Sequence, residues 1–209
     1  MKKERPFSEL IPFLPEGTFD SVVPYFQDHT IHLTLTRERK SVLGDYRNPS
    51  RDTPYHRITV NATLHPYSFL ITLLHELAHM LVFIRFGNKV MPHGSEWKNQ
   101  FKEMLIPYIG KKFFPNDIEQ ALLRYIQNPK ASTCTDTHLY KALYRYNRTD
   151  DLKTLVESLE IGSIFRTEEG RLYKILEKRR TRYRCEDLQN GKMYLFPAIY
   201  EVIRVVKAE

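Results

Sequence analysis

His75-Glu76-Leu77-Ala78-His79 stands midway in an apolar run. Pro66-Tyr67-Ser68-Phe69-Leu70-Ile71-Thr72-Leu73-Leu74 precedes it and Met80-Leu81-Val82-Phe83-Ile84-Arg85-Phe86 follows. An α-helix turns about 100° per residue, so His75 and His79 fall one turn apart on a single face. Both imidazoles then reach one metal ion, and Glu76, on the flank of that face, can take a proton from a metal-held water. The ends of the run agree with a helix. Pro66 suits a first turn, where its missing N–H costs nothing, and Gly87-Asn88 supplies a glycine stop. The run is apolar nearly all round, which predicts a buried central helix. Histidines and a carboxylate on such a helix need compensation for burial, and a metal supplies it. The plainer reading, a pair of core histidines hydrogen-bonded to neighbours, leaves the intervening Glu76 without a reason.

A zinc enzyme uses three protein ligands and keeps a fourth position for water. The best third ligand is His93, in Met91-Pro92-His93-Gly94-Ser95-Glu96-Trp97-Lys98, because a short loop after the helix stop can return it to the metal. Gly94 permits close backbone approach, and Ser95 can cap a helix that starts near Glu96. Glu96 is the alternative ligand. His65 sits at the helix entrance, His56 just before a strand, and His29, His32 and His138 lie further off in sequence.

Taken together, His75-Glu76-Leu77-Ala78-His79 and the later Pro92-His93-Gly94-Ser95-Glu96-Trp97-Lys98 resemble the SprT-like (Spartan-like) metalloprotease domain. That family joins H-E-x-x-H to a later His-Gly, with two residues between the Gly and an aromatic one, here Trp97. Leu43-Gly44-Asp45-Tyr46-Arg47 and Arg57-Ile58-Thr59-Val60-Asn61 are similar to the strands before the family's active-site helix. The resemblance covers residues 30–110. It implies one zinc ion ligated by His75, His79 and His93, with Glu76 as general base. Eukaryotic relatives are implicated in cleaving proteins crosslinked to DNA, so a protein or peptide substrate is implied, with DNA a candidate partner. The chain departs from the pattern in one respect. SprT-type chains often end in a Cys-rich zinc ribbon, whereas the cysteines here are Cys134 and Cys185, neither in a C-x-x-C pair. A second tetrahedral site therefore has too few ligands.

The 209 residues carry 32 basic and 25 acidic side chains, a formal net charge of +7. Residues 161–209 hold 11 basic and 7 acidic groups, a net of +4, so over half the excess lies in the last quarter. Two cysteines indicate no disulfide framework. Met1-Lys2-Lys3-Glu4-Arg5 is not followed by the apolar run of a signal peptide, and no membrane-length segment lacks charge. A reducing cytoplasm and no membrane are the expectation.

The fold class expected is α+β. Residues 1–160 should form a zincin-like metalloprotease domain, a short strand meander packed on the active-site helix with further helices, and residues 161–209 a small basic β-barrel-like module. Ile31–Thr36, Ser41–Arg47 and His56–Asn61 read as the meander strands. Glu96 to about Ile106 reads as a helix with Trp97, Phe101, Met104 and Leu105 as its core stripe, ended by Pro107. Helices follow at 118–126 and 137–146, the second capped by Thr133-Cys134-Thr135-Asp136, and Asp151 to Leu159 should add a short one. In the last quarter, five short strands with tight turns, among them Asn190-Gly191, suggest an SH3-like or OB-like barrel.

Lys174, Lys178, Arg179, Arg180, Arg182 and Arg184 cluster on this module with Tyr173 and Tyr183 interleaved. Basic groups neutralise phosphates and exposed rings stack on bases, so the cluster is a candidate nucleic-acid surface. The bland reading is a solvated strand face whose tyrosines belong to the core. The functional expectation is a zinc metallopeptidase acting on peptide bonds, with Tyr46, Tyr67 and Arg57 as candidates to stabilise the oxyanion. The alternative is a non-catalytic DNA- or protein-binding module with a structural zinc.

Overall fold

Each of two units, Met1–Asn147 and Arg148–Glu209, closes over its own apolar core. The computed structural model describes residues 6–37, 42–130, 136–147 and 152–205. The first unit opens with a 3-10 turn at Phe7–Phe13. It continues through α1 (Phe19–Asp28), β1 (Ile31–Thr36), β2 (Gly44–Arg47), β3 (His56–Asn61), α2 (Pro66–Phe86), α3 (Ser95–Leu105), α4 (Asn116–Tyr125) and α5 (Thr137–Asn147).

Helix α2 is the centre of this unit. Phe69, Leu70, Ile71, Leu73, Leu74, Leu77 and Ala78 are fully buried on it. By length and composition it could cross a membrane, yet it is packed as a core helix. His65 caps its start, its Nδ1 accepting from the Tyr67 N–H at 3.5 Å. Asn147, at the end of α5, accepts from the His65 N–H at 3.0 Å and donates to Ser68 Oγ at 2.8 Å, tying the two helices together. The stop at Gly87 has φ +60° and ψ −141°. That is outside the left-handed helical well, in a region open essentially to glycine alone.

The three strands do not form the expected meander. Their order is β1-β3-β2, with β1 parallel to β3 and β2 antiparallel to it. The physical reason lies in β3, whose Ile58 and Val60 are fully buried and which is the most buried of the three strands. A central position covers its backbone on both sides and leaves β1 and β2 as the edges.

Helix α3 buries Trp97, Phe101, Met104 and Leu105, the expected stripe. Its cap is Gly94 rather than Ser95; Ser95 is the first helical residue, and its hydroxyl donates to Glu96 Oε2 at 3.1 Å. Pro107 ends the helix within a 3-10 turn, Ile106–Tyr108. Asp136 caps α5, its Oδ1 accepting from the N–H groups of His138 and Leu139 at 3.1 Å. Thr133, Cys134 and Thr135 lie outside the described residues.

The second unit is one antiparallel sheet of β4 (Lys153–Leu155), β5 (Ile164–Arg166), β6 (Leu172–Arg179), β7 (Arg182–Asp187), β8 (Met193–Pro197) and β9 (Glu201–Arg204). The order is β4-β9-β5-β6-β7-β8. Several expectations change here. Residues 153–155 pair with β9 as a strand, leaving only a 3-10 turn at Val156–Ser158 where a short helix was expected. The boundary between units consequently falls after Asn147 instead of at residue 160. The sheet has six strands, and its terminal strands β4 and β8 do not pair with each other among the described residues, so hydrogen bonding does not close a barrel. Val156, Phe165, Tyr173, Ile175, Tyr183, Cys185, Phe196 and Val202 form its core.

Candidate metal centre

His75 and His79 project from α2, and the turn between α2 and α3 brings His93 to them. The three Nε2 atoms form a triangle with sides of 3.2 Å (His75–His79), 3.0 Å (His79–His93) and 3.3 Å (His75–His93). Zinc–nitrogen bonds of about 2.0–2.1 Å at tetrahedral angles would separate ligand nitrogens by about 3.3–3.4 Å. Hydrogen bonding alone cannot satisfy the triangle. Each nitrogen either donates or accepts, so among three mutually close ones at least one pair must be alike. A cation facing three lone pairs removes that conflict, and the group could hold a metal ion.

The surroundings favour the neutral imidazoles that ligation requires. Burial, and then the neighbouring imidazoles, push His75 well below the usual histidine value. Burial and His93 bring His79 down to about 4, and burial lowers His93. Trp97 is the shared wall of the site. It is fully buried, with ring centroids 4.6 Å from His75, 5.3 Å from His79 and 4.8 Å from His93. Its indole N–H donates to the His75 carbonyl at 3.5 Å. The turn that carries His93 is tight. The Gly94 N–H donates to Met91 O at 3.0 Å, and a Cβ on Gly94 would come within 3.3 Å of that same oxygen.

The other residues singled out in the sequence lie elsewhere. Glu96 is not part of the nitrogen cluster and accepts from Ser95 instead. His65 is a helix cap, and His32 stacks on Tyr55 at 3.6 Å. His56 Nδ1 lies 3.0 Å from the Tyr46 hydroxyl. Of the three oxyanion candidates, Tyr46 is beside the site, its ring parallel to His79 within 5° at 6.4 Å between centroids. Burial raises its phenol pKa. Tyr67 packs on His65, Phe114 and Tyr146 at the start of α2, about 12 Å of helix from His75. Arg57 lies on β3 with its Nε buried and no hydrogen-bond partner among the described residues. Glu76 is buried, at 6 % exposure, against Gly44 of β2. That contact was not foreseen, although an isolated glycine within a strand pattern signals a close approach.

In the second unit the basic cluster is only partly free. Glu177 holds Arg179 at 2.9 Å and Arg184 at 3.2 Å. Lys178 extends over the Tyr183 ring at 5.7 Å. Lys174, Arg180 and Arg182 are exposed, with Arg180 in the β6–β7 turn. Tyr173 and Tyr183 are each 5 % exposed, so the bland reading holds for them: they are core and present no face for stacking.

A small mixed sheet on a buried helix that gathers three histidines defines an α+β domain with a candidate metal centre. Residues 18–115 match the SprT-like family model, just under half of the chain. A 31-residue segment is 61 % identical to Protein SprT of Glaesserella parasuis serovar 5 (strain SH0165), covering 15 % of this chain and 19 % of that protein. The match thus spans about a fifth of that relative's length. No solved structure matches.

Proposed function

We propose that the chain is a zinc-dependent metallopeptidase of SprT-like type, with His75, His79 and His93 as ligands and Glu76 as general base. The observation that carries this reading is the triangle of Nε2 atoms at 3.0–3.3 Å with a buried carboxylate on the residue next to His75. Three protein ligands leave a fourth position for the reaction. Zinc bound there would lower the pKa of water and polarise the scissile carbonyl. Glu76 accepts the proton of the attacking water and hands it to the leaving amine. Strand β2 is an edge of its sheet and runs beside α2, so an extended peptide can pair with it and be held at the histidines. Tyr46, on that strand beside His79, is the side chain best placed to donate to the oxyanion.

The substrate class proposed is protein or peptide in a reducing cytoplasm, with DNA-associated proteins favoured by the cationic β6–β7 hairpin. Lys178, Arg179, Arg180 and Arg182 lie in it within five residues. The competing reading, a binding module with a structural zinc, is disfavoured by Glu76, since a structural site needs no base. The test is cleavage of a DNA-bound protein by the zinc-loaded chain, with and without DNA, and after chelation. Zinc-dependent cleavage that DNA accelerates is expected. Stoichiometric zinc binding with no cleavage of protein or peptide would favour the structural reading.

A further inference from the structure

Gly44 opens the edge strand β2, and its backbone does not call for glycine. It is not among the glycines of positive φ, which are Gly17, Gly87, Gly110, Gly162, Gly170 and Gly191. A glycine in a strand weakens it and marks the close approach of another group. Here the group is a carboxylate. A Cβ on Gly44 would stand 2.6 Å from Glu76 Oε1, 2.9 Å from Glu76 Cγ and 2.7 Å from Thr72 Cγ2.

The register shows why the approach occurs at this one position. Gly44 pairs with Val60 and Tyr46 with Ile58, so positions 44 and 46 share the sheet face of those two buried residues. On that face Tyr46 lies beside His79 and Phe83, the next turns of α2 after Glu76. The strand follows the helix, and the residue opposite the carboxylate is the one without a side chain.

We propose that Gly44 is a positioning residue for Glu76: the missing side chain lets the carboxylate stand against the strand backbone beside the histidines. The inference rests on Glu76 acting as the base. An added methyl would make Oε1 retreat by about 0.8 Å to reach ordinary contact at 3.4 Å. Misplacement by about 1 Å can cost on the order of 100-fold in rate. The three atoms nearest that methyl belong to Glu76 and Thr72, not to a histidine, so zinc binding should be spared.

The test combines a crystal structure of Gly44→Ala, zinc affinity by chelator competition, and kcat and KM on a peptide. The expected result is a Glu76 carboxylate displaced by about 0.8 Å or more, zinc affinity within about twofold, and kcat about 100-fold lower at similar KM. Gly44→Ala/Thr72→Ser, relieved of the Cγ2 contact, should show the same loss, and it replaces the single variant if that one does not fold. In a Glu76→Gln background, Gly44→Ala should change little. An unmoved carboxylate with near-normal kcat, recovery of turnover in the double variant, or loss of zinc would each overturn the proposal. The displacement is read without turnover. If the wild-type protein cleaves no peptide, the base assignment fails while the crystal structure still decides whether Gly44 positions Glu76.

Discussion

Helix α2 and the hairpin of β6 and β7 both mix polar with apolar side chains, and they dispose of the polar ones in opposite ways. On α2, His75 and Glu76 are buried, and His75 and His79 are held far from their charged forms. On β6 and β7 the tyrosines go inside, while most of the cations stay in water and two of them share Glu177. Desolvation makes the first arrangement costly unless a ligand completes it. The second costs little, because exposed charges are solvated and screened. Convergent, partly desolvated nitrogens therefore argue for a specific ligand more strongly than a run of exposed cations does.

The largest effect that would sharpen this contrast is on metal binding. Losing one of three ligands from a site worth about 10–16 kcal/mol should weaken zinc by about 10²–10⁴-fold. Chelator competition on His93→Ala reads this, and affinity within a few-fold of wild type would remove His93 from the site. A smaller effect belongs to the hairpin. Neutralising Arg179, Arg180 and Arg182 together should weaken DNA binding and reduce the slope of log K against log salt, by about one per lost phosphate contact. Arg179 should matter least, being engaged by Glu177. An unchanged slope in a gel-shift titration would break the polyanion reading. The smallest effect concerns Cys185, fully buried, with a thiol that burial pushes up to about 11. Below that pH the thiol stays protonated, so iodoacetamide should label it only on unfolding. Rapid labelling of the native protein at Cys185 would contradict its place in the core.

What was legible in the sequence follows from how local each signal is. The α2 boundaries, the one-turn spacing of His75 and His79 and the α3 stripe depend on neighbours within a few residues, and all three appear as read. The insertion of β3 between β1 and β2 was not legible, because it depends on which strand can be covered on both sides. Lys153–Leu155 was misread as helical for a related reason: its pairing with Glu201–Ile203 lies almost fifty residues away. The wall formed by Trp97 was half visible. Its burial was expected from the stripe, but its contact with all three histidines depends on where the His93 turn lands.

The central claim is that the three histidines hold one zinc and that Glu76 acts on water beside it. Zinc content and peptide cleavage measured side by side on wild type and Glu76→Gln test it most directly. One zinc per chain in both proteins is expected, with turnover in the variant reduced by about 10²–10⁴-fold, the range of a lost general base. Robust cleavage by Glu76→Gln with its zinc retained would contradict the account.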